Sequence, residues 1–582
     1  MKLNYKKTLF VGFAFFLICA FWQAYDSIVP MMLVNKFGLN QTLSGVIMSL
    51  DNIIALFMLP LFGALSDKTK TKFGRRTPYI VIGTIIAACS FFCLSFADNA
   101  QLARVKSSAD SVTFQEQLFD KDYEISSAEY SAIVNKNAPE KFTVKNYAAQ
   151  VNFNKNYDEL TEEQKTAAKE WYKSINAAYL SDHTSPETVY AYENGVYRQV
   201  TATKSNGKTT YIYSDGHVEV EDKSVIKNAY TNLVTPAVSK YAWEKTTENP
   251  VPFICFGALL LLTLIAMATF RSPAVALMPD VTVKPLRSQA NAIINLLGTA
   301  GGMLVLVLGM VFKTGKTFNQ LMSYTPFIGA VCALMILGLL AFILKVREPK
   351  WVDEMHADTV KYGLETVEEE KLDEGDRKLT RPELKSLILI LCSVALWYIG
   401  YNAVTSKYSL YATNYLHKDY NTTLLIAQAA AILSYVPVGM LAQKIGRKKS
   451  ILAGVVMLTA AFGGAIFMND SSSVIVLDIL FALAGIGWAT INVNSFPMVV
   501  ELASGANVGK FTGYYYTASM AAQIVTPILS GLLMDLAGSM RPLFYYAAFF
   551  AAAAFFTMLF VRHGDVKPVK KSSVLEHLDI DD

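Results

Sequence analysis

Twelve apolar runs of about 18 residues or more constrain this chain more than any other feature. A run of that length with few charges matches a helix that crosses a bilayer, since roughly 20 residues at about 1.5 Å each span the hydrocarbon core. The runs lie near 9–34, 42–65, 78–97, 251–278, 289–312, 325–346, 385–412, 423–443, 450–468, 473–499, 509–534 and 542–562. Only 17% of the 582 residues are charged and 53% are hydrophobic. Soluble proteins carry about 25% charge, so the mix is that of a multi-pass membrane protein. Lys2, Lys6 and Lys7 precede the first run as they would in a secretory leader. That run is longer than a leader's apolar core and no small-residue cleavage pattern follows it, so it reads as the first span.

Lys and Arg in short loops set the orientation. Lys68, Lys70, Lys72, Arg75 and Arg76, then Lys444, Arg447, Lys448 and Lys449, then Lys567, Lys570 and Lys571 all fall on one side. This predicts cytoplasmic termini and an integral, multi-pass protein of the plasma (inner) membrane.

The chain also repeats itself. GALSDKTKTKFGRR (63–76) matches GMLAQKIGRKK (439–449), with Gly74 and Gly446 372 apart. ATFRSPAVALMPD (268–280) matches ATINVNSFPMVVE (489–501) at an offset of 221. The difference, 372 less 221, places about 151 extra residues between the third and fourth spans of the first half. The expected organisation is therefore 1–98 for helices 1–3, 99–249 for an extracytoplasmic insertion, and 250–346 for helices 4–6. Then come 347–384 as a cytoplasmic linker with the charged run EEEKLDEGDRK, 385–562 for helices 7–12, and 563–582 as a tail. Within the insertion, 160–180 reads as an amphipathic helix and 197–220 as alternating strands with a hairpin at Asn206–Gly207. The fold class is all-α membrane protein: twelve helices in two pseudo-symmetric halves, with an α+β insertion. In repeat-built transporters of this kind the substrate site lies at the midplane between the halves.

Gly63, Asp67, Gly74, Arg75 and Arg76 are spaced as in the loop between helices 2 and 3 of the major facilitator superfamily, which this chain resembles. The longer form GALSDKTKTKFGRRTPYI is similar to two branches, the glycoside–pentoside–hexuronide:cation symporters and the sucrose:proton symporters. RSPAVALMPDV…RSQANA (271–292) resembles the helix 4–5 junction of the sucrose branch, including its intramembrane arginine. The resemblance covers nearly all the chain except 99–249 and implies sugar transport coupled to a cation. The chain departs from both branches. Leu59 stands before Pro60 where the cation symporters usually have aspartate, and 253–270 lacks the helix 4 carboxylate common in sucrose symporters. A proton is therefore expected as co-transported ion rather than sodium.

The loop reads physically as a cytoplasmic gate. Gly63 allows close helix approach, Asp67 can cap a nearby helix N-terminus, and Arg75 and Arg76 can pair with Asp280 at the end of helix 4. Arg447 and Glu501 are the equivalent pair in the second half, where Gln443 replaces the aspartate.

Polar residues inside the spans are candidates for function, because a charge at the bilayer centre costs about 2.5–3.5 kcal/mol on insertion scales. Trp22, Gln23 and Asp26 share one face of helix 1. Adding 376, the Gly63–Gly439 offset, to FWQAYDSIVP (21–30) gives WYIGYNAVTS (397–406). Trp22 then corresponds to Tyr398, Tyr25 to Tyr401, Asp26 to Asn402 and Phe21 to Trp397. An aromatic ring beside a polar group suits a sugar: the ring stacks on C–H faces and the polar group takes hydroxyls. The expected substrate site is Trp22, Gln23, Tyr25, Asn295, Trp397, Tyr398, Tyr401, Asn402, Trp488 and Asn492. Proton coupling is assigned to Asp26, with Asp51 and Arg271.

The six cysteines all lie in apolar segments without metal-ligand spacing, and the six histidines lie outside the spans. No metal and no cofactor are expected. GANVGK (505–510) is one residue too short for a phosphate loop, and no nucleophile–base arrangement occurs, so neither an enzyme nor an ATP-driven pump is indicated. The expected partners are a sugar, a proton and the lipid bilayer, with no nucleic acid, and the chain is expected to act as a monomer. The leading function is proton-coupled uptake of a disaccharide or other glucoside. The alternatives are a facilitator or exporter of a non-sugar or lipid, and a transporter-derived sensor that uses 99–249.

Overall fold

The computed structural model describes residues 3–110, 124–126, 141–180, 188–193, 196–205, 208–212, 218–221, 235–316, 321–362, 379–469, 472–502 and 508–564. Long helices follow the apolar runs: α1 (Tyr5–Met31), α2 (Gln41–Lys68) and α3 (Thr77–Asp110) come first. Within the polar segment lie β1 (Glu124–Ser126), β2 (Lys141–Thr143), α4 (Val144–Phe153), α5 (Glu162–Leu180), β3 (Thr188–Glu193), β4 (Val196–Ser205), β5 (Lys208–Ile212), β6 (Val218–Glu221) and α6 (Thr235–Glu248). The first half resumes with α7 (Val251–Val281), α8 (Arg287–Val311) and α9 (Thr325–Lys345), and α10 (Glu348–Lys361) follows. The second half is α11 (Arg381–Asn414), α12 (Tyr420–Ile445), α13 (Arg447–Ala465), α14 (Val474–Val500), α15 (Val508–Ala537) and α16 (Pro542–Leu559). Eleven of the described helices are long and apolar enough to cross a membrane. The eighth expected span is α12, whose 26 residues make about 39 Å of helix.

Local chemistry sets the helix ends. Asn40 accepts the Leu43 amide at 2.8 Å and starts α2; Asp419 accepts the Asn421 amide at 3.0 Å and starts α12. Thr380 and Glu383 form a reciprocal capping box at α11. Small residues bring helices together where lipid offers no hydrophobic drive for association. A Cβ on Gly301 of α8 would stand 2.6 Å from the Phe16 carbonyl of α1, and one on Gly454 of α13 would stand 2.8 Å from the Gly487 carbonyl of α14.

The packing repeats the sequence duplication. Across the halves, α2 lies on α15, α8 on α12 and α1 on α11. Helix 2 of one half is equivalent to helix 8, and helix 5 to helix 11, so the first two contacts are one contact made twice about a pseudo-two-fold axis.

The segment 347–384 begins with structure that the linker reading does not include. Lys7 of α1 donates to the Trp351 carbonyl and to Glu354, each at 3.3 Å, and lies over the Trp351 ring. The run EEEKLDEGDRK lies outside the described residues. Glu348, buried at the start of α10, accepts the backbone amides of Arg75, Arg76 and Thr77 at 2.8–2.9 Å and the Thr77 hydroxyl at 2.7 Å. It therefore caps α3, the role expected of Asp67. Gly74 makes room for it: its φ is +110°, and a Cβ there would collide with the Glu348 carboxylate.

Residues 32–39 and 97–254 form a second compact unit. Its four-stranded sheet is an antiparallel meander in the order β3-β4-β5-β6, with Ser205 opposite Lys208. Asn206–Gly207, the expected hairpin turn, lies outside the described residues. The helix expected over 160–180 is α5. After α1 the chain widens into a π-turn, Met32–Lys36, that ends in a fully buried Lys36–Asp98 ion pair. Gln101 donates to the Lys36 carbonyl at 3.1 Å and to Thr246 Oγ1 at 2.9 Å, while Thr246 donates to the Phe37 carbonyl.

Asp98→Asn strands a buried ammonium and should cost about 3–5 kcal/mol, whereas the double change Lys36→Met/Asp98→Leu should recover most of it. Thermal unfolding midpoints in detergent check both. By the same measurement, Glu348→Ala removes four hydrogen bonds to one carboxylate and should destabilise by about 2 kcal/mol or more, with Glu348→Gln losing less.

Candidate functional site

The repeat equivalence predicts matching environments, and the four pairs can be compared. Phe21 and Trp397 are both fully buried. Trp22 and Tyr398 are both half-buried, as are Asp26 and Asn402. Tyr25 is fully buried, while its counterpart Tyr401 is half-buried. The Tyr25 hydroxyl and Trp397 Nε1 are buried and have no hydrogen-bond partner among the described residues.

In the second half, α11 and α14 build an aromatic platform. The Tyr401 ring lies parallel on Trp488, with centroids 3.6 Å apart and planes 4° apart. Tyr398 meets the same indole edge-on at 5.1 Å. One turn along α14, Asn492 is half-buried and its buried Oδ1 has no hydrogen-bond partner among the described residues. Asn402 Nδ2 is likewise unpartnered among them. Buried polar atoms are nearly always satisfied, so each of these atoms is a candidate to bind a ligand or water.

In the first half, α1, α2 and α7 bring the charged residues together. The Arg271 guanidinium lies 5.8 Å from the centre of the Trp22 ring. It is within Coulombic reach of Asp51, which is within reach of Asp26. Asp51 also accepts a hydrogen bond from Asn52 at 2.7 Å. The Asp26 carboxyl has no hydrogen-bond or ion-pair partner among the described residues; its backbone carbonyl accepts from Ser409 of α11. Tyr401 of the aromatic platform is within electrostatic reach of Asp26, so the two clusters meet at one place.

Gln23 lies beside them. It accepts from Gln428 Nε2 of α12 at 2.6 Å and donates to Ser27 at 3.1 Å. Gln428 is absent from the expected set, although a lone amide inside an apolar run is a readable signal. Asn295 is half-buried on α8, one turn before Gly298, where a Cβ would touch Cys19 and Phe15 of α1.

At the α2–α3 end, Arg75 grips Asp280 with two nitrogens, at 2.6 and 3.2 Å. Arg76 reaches Asp280 at 2.8 Å, Asp67 at 2.5 Å and Ser66 at 2.5 Å. Arg447 pairs with Glu501. Gly63 faces α7, where a Cβ would stand 3.0 Å from Ser272 Oγ. Each of these ion pairs lies within one half. They tie helix ends together, since Asp280 and Glu501 end helices of the same half as the arginines they meet.

Residues 11–120 match the family described as MFS/sugar transport protein, and residues 387–579 match the Major Facilitator Superfamily. Among solved structures, the chain is similar to the inward-open conformation of the xylose transporter XylE from E. coli, at 12% identity and a TM-score of 0.53, covering 99% of each chain. It is similar to a D-xylose-proton symporter at 12% identity and a TM-score of 0.52, covering 96% of this chain and 99% of that one. It is also similar to a mutant of the nucleoside transporter NupG at 12% identity and a TM-score of 0.51, covering 96% of this chain and 100% of that one. The chain has the fold of the major facilitator superfamily, a multi-pass membrane architecture built for transport.

Proposed function

We propose that this protein moves a disaccharide or other glucoside together with a proton, by alternating access. The observation that carries the reading is the meeting of the Tyr401–Trp488 platform with the Trp22–Arg271–Asp51–Asp26 cluster. A pyranose presents apolar C–H faces and a rim of hydroxyls. The stacked rings offer an apolar surface, and Asn402, Asn492 and Gln23 offer donors and acceptors around it. In the half that carries the carboxylates, Trp22 supplies the opposing ring.

The two carboxylates divide the work. Arg271 and Asn52 partly compensate Asp51. Asp26 lacks such compensation and sits between the halves, so it is the group that takes up and releases the proton. With Asp26 neutral, the loaded protein can reorient without carrying an unpaired charge through a closed core. Release of the proton on the far side resets the site. The Arg75–Arg76–Asp67–Asp280 and Arg447–Glu501 clusters keep each half rigid as it rocks. The Lys/Arg bias of the loops puts these clusters and both termini in the cytoplasm of a plasma-membrane protein. One chain holds both walls of the site, so a monomer suffices.

The membrane potential supplies about 2.3 kcal/mol per charge per 100 mV, enough to hold roughly a fiftyfold sugar gradient. In proteoliposomes, a pH gradient or a potential should drive accumulation of labelled maltose or sucrose. Asp26→Asn, which makes the two repeat copies alike, should keep sugar exchange and lose uphill uptake. Loss of exchange as well would make Asp26 a sugar ligand, and wild-type uptake indifferent to both gradients would remove the proton from the reading.

A further inference from the structure

A buried lysine on α11 has no part in the site above. Lys407 is fully buried, and its ammonium donates to the Gln41 carbonyl at 2.8 Å and to Gln41 Oε1 at 3.4 Å. Gln41 is the first residue of α2, in the other half of the protein. At the same helix end, Asp535 of α15 accepts the amides of Gln41 and Thr42 at 2.9 and 2.8 Å and the Thr42 hydroxyl at 2.5 Å. Lys407 and Asp535 are within Coulombic reach of each other. Both charges belong to the second half and both grip a helix start of the first.

The backbones close tightly around this grip. A Cβ on Gly45 of α2 would collide with the Pro527 carbonyl of α15, and one on Gly531 of α15 would collide with the Gln41 carbonyl. The side chains therefore meet only because two glycines let the helices touch. Further polar ties between the halves lie at this end: Lys316 pairs with Asp419 at 3.3 Å, and Thr314 bonds the Tyr420 hydroxyl at 2.8 Å. By contrast, the ion pairs described above at the α2–α3 end stay within one half.

We propose that Lys407 and Asp535, clasping the N-terminus of α2, form the gate that closes the α1–α2 end of the transporter. The chemistry suits a reversible contact. Asp535 satisfies amides that begin a helix and would otherwise bind water, and its charge complements the positive end of the helix. Lys407 is bonded mainly to a backbone carbonyl. When the halves part, water replaces every one of these bonds. A partial slip, in contrast, strands two charges in a dry interface, which is costly. The contact is thus either fully made or fully broken, as a gate must be. The inference rests on alternating access but not on the identity of the cargo.

The test reads accessibility and needs no substrate. The native cysteines are replaced and Thr405→Cys is introduced; Thr405 lies one turn beyond Tyr401 and Asn402 on the same face of α11. A membrane-impermeant maleimide is applied from each side to the full-length protein in vesicles. Asp535→Asn, Lys407→Met and Gly531→Ala should each raise labelling from the α1–α2 side by about tenfold or more, the effect of losing a hydrogen bond to a charged group. Labelling from the opposite side should fall. Gly531→Ala acts as a steric wedge and changes no charge. Should a charge variant fail to fold, Thr42→Val, which deletes one hydroxyl, gives the same direction with a smaller change. Labelling unchanged in all variants overturns the gate. A shift with Gly531→Ala alone overturns the roles of Lys407 and Asp535. Because no sugar is used, these results are independent of whether uptake proves to be proton-driven.

Discussion

The close approach of α2 to α15 is the contact on which the arrangement of the two halves depends. Gly45 and Gly531 bring backbone to backbone, and no side chain could substitute for that geometry. Its pseudo-symmetric counterpart is α8 on α12. Between them these two contacts leave α1 and α11 to face each other, and those are the helices that carry the repeated aromatic–polar motif. Site geometry is thus a consequence of where glycine permits the outer helices to touch.

Polar chemistry follows the same division. Pairs that stay within a half, such as Arg75–Asp280 and Arg447–Glu501, join a charged side chain to a charged side chain. Pairs that cross between the halves near α2 instead join a charged side chain to backbone groups at a helix start, and Lys316–Asp419, which also crosses, has a half-exposed lysine. The first kind is expensive to break, because it leaves an uncompensated charge. Water can take over the second kind. A protein whose halves move as bodies needs strong ties inside each body and replaceable ties between them.

Much of this is legible in the sequence. Length and hydropathy locate the spans because a bilayer admits few alternatives to a helix. The repeat offsets locate equivalent residues, and Phe21 and Trp397 do share full burial. What a sequence does not supply is the partner across space. Glu348 lies 271 residues from the helix it caps, and no local pattern announces that; Asp67, nine residues away from Arg76, is the nearer but wrong choice for the cap. Tyr25 and Trp397 read as binding residues because their types suit sugars, and both are fully buried. Lys407 is readable by the same rule that singles out Asp26, a charge within an apolar run, but its place near the end of that run makes it look like an ordinary boundary residue.

The repeat also explains why one half carries the charges. Asp26 corresponds to Asn402 and Arg271 to Asn492, so these two charged positions of the first half have neutral amides in the second. Asn402 keeps the size of the Asp26 side chain and cannot ionise. The binding function can therefore be shared across the pseudo-two-fold axis while ionisation cannot. Had both copies kept carboxylates, two like charges would face each other across one cavity, and neutralising one would leave the other to block reorientation. On the proposed reading, had both kept amides, the site would bind and release its cargo with nothing to couple it to a gradient. On that reading, one charged copy and one neutral copy is the arrangement in which a single proton can decide whether the closed state is electrically balanced.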